Sequence, residues 1–166
     1  MEARVEHNLE PIFDANSEVL ILGTMPSPKS REEGFYYAHP QNRFWRVIAE
    51  VFTQQKPVTN EEKKAFLLNN HIALWDVLRT CNIKGADDSS IKNPKVNDMN
   101  VILSCTGVKT IFTTGTKATA LYKRYCYPDT KIEAIYLPST SAANCATYTY
   151  DDLLRAYKRI LKHFSI

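Results

Sequence analysis

The sequence predicts an α/β protein: a three-layer α/β/α sandwich around a central, mostly parallel sheet of about four strands. Two observations carry that expectation. Short continuous apolar runs alternate with segments of helical periodicity, the pattern of strands paired in parallel through right-handed crossovers. Each apolar run also empties into a loop rich in Gly, Pro, Ser, Thr or Asp, as buried strands do.

The first strand is Val19-Leu20-Ile21-Leu22, followed at once by Gly23-Thr24-Met25-Pro26-Ser27-Pro28. A polar, aromatic loop covers Lys29 through Gln41. Asn42 then suits the cap of a helix over Arg43–Gln54, whose Phe44, Val47, Ile48, Val51 and Phe52 recur at helical spacing. Thr59 and Glu62 make a capping box that opens a second helix, which Asn69-Asn70 ends. Ile72-Ala73-Leu74-Trp75 reads as the second strand, stopped by Asp76. The polar stretch Asn82 to Pro94 reads as a long loop, of the kind that is usually functional.

A short helix is expected over Asn97–Ser104, a third strand over Val108–Thr113 and a helix over Thr116–Tyr125. Ile132–Leu137 is the fourth strand, and Pro138-Ser139-Thr140-Ser141 follows it. The last helix, about Tyr150 to Phe164, sets Leu153, Leu154, Tyr157, Ile160, Leu161 and Phe164 on one face.

Length and composition bound the function. The 166 residues suit one domain spanning the whole chain, long enough to fold without a disulfide or metal staple. With 44% hydrophobic and 23% charged residues, disorder and fibres are excluded. The net charge of +3 permits a polyanionic partner without demanding one. The N-terminus lacks the apolar run of a secretion signal, and VLIL is far short of the ~18 residues of a membrane span. Cys81, Cys105, Cys126 and Cys145 stand apart, which fits reduced thiols in a cytoplasmic protein and argues against structural zinc or an iron–sulfur cluster. No metal and no cofactor is expected. Without an apolar surface stripe, a monomer is the default.

In parallel α/β sheets ligands bind outside the carboxyl ends of the strands. The loops at Gly23–Ser27, Asp76 onward, Thr114–Gly115 and Pro138–Ser141 should therefore gather on one edge. Gly-x-Gly is absent and no lysine follows Gly23 where a phosphate loop needs it. A Gly-x-Ser-x-Gly elbow is missing as well. What remains is hydroxyls, amides and aromatics, an inventory for hydrogen-bonding a flat polar ligand between aromatic faces.

Gly23-Thr24-Met25-Pro26-Ser27, then Tyr36-Tyr37-Ala38-His39-Pro40-Gln41-Asn42-Arg43-Phe44-Trp45, then Leu137-Pro138-Ser139-Thr140-Ser141 resemble the signature motifs of the uracil-DNA glycosylase superfamily. The His-Pro-x-Asn-Arg-Phe-Trp segment is similar to the mismatch-specific uracil/thymine branch. Together with Cys81 and Gly85-Ala86-Asp87-Asp88-Ser89-Ser90-Ile91, the set looks more like the hypoxanthine- (deoxyinosine-) DNA glycosylase branch.

The resemblance implies a monofunctional base-excision enzyme acting on DNA that holds a deaminated or mismatched base. It would flip that base out and hydrolyse its N-glycosidic bond, with a positioned water and donors aimed at the base oxygen. Relatives of the mismatch-specific branch have Asn third in the first motif; here that position is Met25, so another amide must serve, and Asn42 is the candidate catalytic residue. Gly23 and Thr24 would bind the base through backbone N–H groups, Tyr37 would stack on it, and Thr114 would read its edge. Ser139, Thr140 and Ser141 would press on the DNA backbone, and Asn144 would sit at an intercalating wedge.

Each residue also has a plainer reading. Asn42 fits a helix cap as well as an active-site amide, and both can hold together. Tyr37 reads as a stacking residue in preference to a loop aromatic. His39 reads as a hydrogen-bonded structural residue rather than a general acid, and Asp76 as a cap or an ordering group. Asp88, Ser89 and Ser90 suit sugar–phosphate contact or a solvated turn equally. Lys117, Lys123 and Arg124 fit diffuse attraction to DNA or a solvated helix face. A non-catalytic nucleic-acid or nucleotide-binding module on the same scaffold is the alternative function, with Met25 its best support.

Overall fold

The computed structural model describes residues 2–165. In chain order the strands are β1 (Glu2–Glu6), β2 (Val19–Gly23), β3 (Ile72–Asp76), β4 (Leu78–Lys84), β5 (Asp87–Val96), β6 (Thr110–Thr114) and β7 (Ala134–Leu137). The helices are α1 (Pro28–Glu33), α2 (Phe44–Val51), α3 (Asn60–Asn69), α4 (Asn100–Leu103), α5 (Thr116–Leu121), α6 (Tyr127–Thr130) and α7 (Tyr150–Tyr157).

The expected α/β/α core is present. Its sheet has the order β3-β2-β6-β7, and all three pairings are parallel. β2 and β3 are buried along their whole length, which explains why they read as unbroken apolar runs rather than alternating ones. Burying each of Leu20, Ile21, Leu22 and Leu74 contributes roughly 1.5–3 kcal/mol. α2 presents Phe44, Val47, Ile48 and Val51 to the core and packs against α7. The Thr59–Glu62 capping box forms as expected at the start of α3.

The expected loop from Asn82 to Pro94 is instead a hairpin. β4 and β5 pair antiparallel across the two-residue turn Gly85-Ala86, and β1 joins β4 to make a second, three-stranded sheet. Register shifts along β4–β5 break the alternation that would have marked two strands. The turn needs Gly85, whose φ is +55°. β1 escaped the sequence reading because its exposed Ala3, Arg4 and Glu6 leave no periodic signal.

Three further segments depart from expectation. The loop from Lys29 holds the short helix α1, capped by the Ser27 hydroxyl and ended by Gly34 at φ +75°. The helix expected over Thr116–Tyr125 widens after Leu121 into a π-helical turn, Tyr122–Cys126, before α6. Pro128 supplies the reason: it has no N–H to donate and its ring crowds the carbonyl an ordinary turn would place there. The final helix is regular only to Tyr157 and tightens into 3-10 turns over Lys158–His163. Among the described residues, no helix is long and apolar enough to cross a membrane.

Candidate active site

All four exits of the parallel sheet meet at one open cavity of about 260 Å³. Gly23 and Thr24 come from the end of β2, Asp76 from β3, Thr114 from β6, and Ser139, Thr140 and Ser141 from the turn after β7. The segment between α1 and α2 adds Tyr37 and Asn42. Of the residues expected at the site, Asn144 alone does not line the cavity; its amide donates to the Ser139 carbonyl at 2.9 Å, behind the turn.

The loop after β2 is held by the chain leaving β3. Val77 and Leu78 donate their N–H groups to the carbonyls of Gly23 and Thr24, at 2.8 and 3.0 Å. The N–H groups of Thr24 and Met25 meet no protein acceptor among the described residues. Gly23 has to be glycine. A Cβ there would lie 2.5 Å from Asp76 Oδ1 and 3.0 Å from the Tyr37 hydroxyl. Met25 is half-buried, packs on the core and lines the cavity as an apolar wall.

Asp76 is buried, and its Oδ2 accepts a hydrogen bond from His7 Nε2 at 2.9 Å. Its main-chain oxygen accepts from Asn97 Nδ2 at 3.0 Å. Tyr37 has a left-handed φ of +52°, uncommon for an aromatic residue, and its ring stacks on Phe44 with centroids 4.0 Å apart and planes 13° off parallel. Its hydroxyl lies 3.5 Å from Thr114 Oγ1. Burial, helped by the Asp76 charge, pushes the Tyr37 phenol well above its ordinary range, so it stays protonated.

Asn42 is held at the start of α2 and lines the cavity. Its Oδ1 accepts from the N–H of Phe44, the first residue of α2, at 2.9 Å, from one position before the N-cap Arg43, and from the Thr140 hydroxyl at 2.7 Å. Both lone pairs of that oxygen are therefore occupied, and the backbone donor fixes which amide atom is oxygen. The Nδ2 donors have no protein partner among the described residues and belong to a cavity-lining side chain.

The turn after β7 is fixed from several sides. Arg43 N–H donates to Thr140 O at 3.1 Å, Tyr157 hydroxyl to Pro138 O at 2.7 Å, and Gly115 N–H to Leu137 O at 2.7 Å. Within it, Ser139 Oγ accepts from Ser141 N–H and Ser141 Oγ from Ala143 N–H, each at 3.2 Å.

Asp88 stands on the cavity rim at the hairpin, where its carboxylate accepts from the Thr24 hydroxyl at 3.3 Å. Crowding by neighbouring atoms and the charges of Asp76 and Asp87 push its pKa up, while that hydrogen bond pulls it down. Ser89 and Ser90 do not reach the cavity; both turn back to Asp87. His39 lines the cavity, and its Nδ1 accepts its own loop's Gln41 N–H at 3.1 Å. Lys123 and Arg124 are exposed on the π-helical turn. Sequence reasoning missed His7, because a single histidine after an exposed strand carries no pattern of its own.

The fold and this site define a parallel-sheet α/β protein with a small ligand cavity at the carboxyl edge of its strands, below the ~300–1,000 Å³ of drug-sized pockets. The family model of the uracil DNA glycosylase superfamily matches residues 10–164, and the chain belongs to that superfamily. It is 32% identical over 93 residues to a hypoxanthine DNA glycosylase of Methanosarcina barkeri, a match covering 55% of this chain and 59% of that protein. It is 33% identical over 97 residues to a hypoxanthine DNA glycosylase of Methanosarcina acetivorans, covering 58% and 61%. The matched stretch thus spans about three fifths of these curated relatives. A solution NMR structure from Methanosarcina acetivorans, described as a candidate uracil DNA glycosylase, superposes with a TM-score of 0.78 at 27% identity, over 97% of this chain and 99% of that one.

Proposed function

We propose that this protein is a DNA glycosylase that hydrolyses the N-glycosidic bond of a deaminated base, hypoxanthine foremost, flipped out of DNA. The observation that carries the reading is the convergence of an unpaired amide, two free backbone N–H groups and a buried carboxylate around one cavity beside a stacked aromatic ring. The names of the relatives support hypoxanthine as the base.

The extruded base stacks on the Tyr37 face opposite Phe44, which offsets part of the few kcal/mol lost on unstacking. Asn42 Nδ2 and the Thr24 and Met25 N–H groups donate to the base oxygen, where negative charge grows as the base departs. Water attacks C1′ of the sugar, the C1′–N bond breaks, its electron pair leaves with the base, and the water's proton neutralises the base. With both lone pairs of Asn42 Oδ1 engaged, Asn42 acts as a donor and not as the acceptor of the water's proton. The Asp76 carboxylate accepts the base N–H next to the carbonyl and fixes orientation. Ser139, Thr140 and Ser141 take the phosphates flanking the flipped nucleotide, and Asn144 braces that turn.

No lysine lines the cavity, which favours direct hydrolysis over an amine-linked intermediate and so a monofunctional enzyme. Nothing in this scheme requires a second subunit, and it operates in a monomer. Duplexes with one deoxyinosine, uracil, xanthine or mismatched thymine, incubated with the protein and treated with alkali, test the reading. Scission at deoxyinosine is expected, with no borohydride-trapped adduct; intact strands for all four lesions would overturn it.

A further inference from the structure

His7 lies outside the residues 10–164 that match the family model, yet it holds Asp76, which lines the cavity. It directly follows β1, and its N–H continues the β1–β4 ladder by donating to Arg79 O at 2.7 Å. The side chain is buried, 2% exposed, between Tyr36 and Trp75, with ring centroids 6.0 and 6.3 Å away. Leu9 N–H donates to Nδ1 at 3.3 Å, so Nδ1 carries the lone pair and Nε2 carries the proton given to Asp76 Oδ2. One carboxylate oxygen is thereby tied down. The other, Oδ1, has no hydrogen-bond donor among the described residues, and it sits against the Gly23 backbone, 2.5 Å from where a Cβ would stand.

We infer that His7 is a positioning residue that locks Asp76 with Oδ1 as a fixed acceptor for the base, and so makes the site select deaminated bases over their amino parents. Hypoxanthine and uracil present an N–H beside the carbonyl; adenine and cytosine present a lone pair at that ring nitrogen. A carboxylate can only accept, so it bonds the first edge and repels the second. A free carboxylate could swing away from the mismatch and lose the discrimination. Tied to His7, and hemmed in by the Gly23 backbone, it has nowhere to go.

This inference rests on the glycosylase reading, and one experiment separates the two. Single-turnover excision of deoxyinosine is measured for the wild type, His7→Phe and His7→Gln, alongside affinity for the same duplex. His7→Phe keeps an aromatic ring but donates nothing, and its rate should fall about tenfold or more with duplex affinity unchanged. His7→Gln keeps an amide N–H at the Nε2 position and should restore most of the rate. Asp76→Asn, which can turn its amide N–H toward a lone pair, tests selectivity. Its affinity for an uncleavable 2′-fluoro-deoxyinosine duplex over the matching 2′-fluoro-deoxyadenosine duplex should drop at least tenfold. Equal rates for both His7 variants, whether high or low, or an unchanged affinity ratio in Asp76→Asn, would overturn the inference while leaving an active wild type as a glycosylase. A wild type inactive on deoxyinosine would overturn the reading beneath it, and the inference with it.

Discussion

The Thr140 hydroxyl donates to Asn42 Oδ1 at 2.7 Å, joining two motifs that lie 98 residues apart in the chain. The same oxygen accepts the N–H of Phe44, the first residue of α2. The structural role of the amide resides on its oxygen and the proposed chemical role on its nitrogen, and two substitutions separate them. Asn42→Asp keeps both accepted hydrogen bonds and loses the Nδ2 donors: thermal stability should hold while deoxyinosine excision drops by about 10²–10³. Asn42→Ala should lose the activity and also about 1 kcal/mol of stability, because the Phe44 N–H and the Thr140 hydroxyl lose their acceptor. An Asp variant as active as the wild type would remove the donor role.

Gly23→Ala places a methyl 2.5 Å from Oδ1 of the Asp76 carboxylate, whose other oxygen, Oδ2, is held by His7. The carboxylate cannot retreat without breaking that bond. Destabilisation of about 1–3 kcal/mol in urea unfolding is expected, together with loss of excision. An unaffected variant would mean that the floor of the cavity is softer than its contacts imply.

Tyr37 tests stacking. Its hydroxyl meets Thr114 only at 3.5 Å, whereas its ring lies flat on Phe44. Tyr37→Phe should therefore retain nearly full activity, while Tyr37→Ala should weaken binding to an uncleavable deoxyinosine duplex by about 1–3 kcal/mol. Equal loss in both variants would assign the work to the hydroxyl instead of the ring.

Asp88 predicts a pH dependence of stability. Its carboxyl is held above the ordinary 3.8, chiefly because surrounding atoms displace water from it. The native state therefore binds this proton more tightly than the unfolded chain does, and this group's contribution falls as pH rises above 3.8. Asp88→Asn removes the unfavourable charge and can still accept from Thr24. It should melt higher than the wild type at neutral pH, with the difference vanishing as pH falls to 3.8 and below. A melting difference independent of pH would contradict this.

The sequence by itself determined the parallel sheet. Val19–Leu22 and Ile72–Trp75 are apolar at every position because both faces of their strands are covered, and that pattern has few other solutions. It also determined which edge carries the candidate site, since ligand loops follow strand ends, and Gly23, Thr24, Thr114 and Ser139–Ser141 all lie at or just past one. Tyr37 and Asn42 were legible through motif resemblance, being anchored to α2 by short-range geometry.

Only the tertiary structure decided the rest. The polar segment from Asn82 to Pro94 has no clean period, so its pairing with β1 is fixed by register across the chain and not by local pattern. His7 and Asp76 are 69 residues apart, and each alone is an ordinary polar residue. The buried histidine–carboxylate pair exists only because the chain leaving β1 meets the end of β3, in a different sheet, within 2.9 Å. Local sequence encodes periodicity and turn chemistry, whereas a site made from distant single residues acquires its meaning when the fold closes.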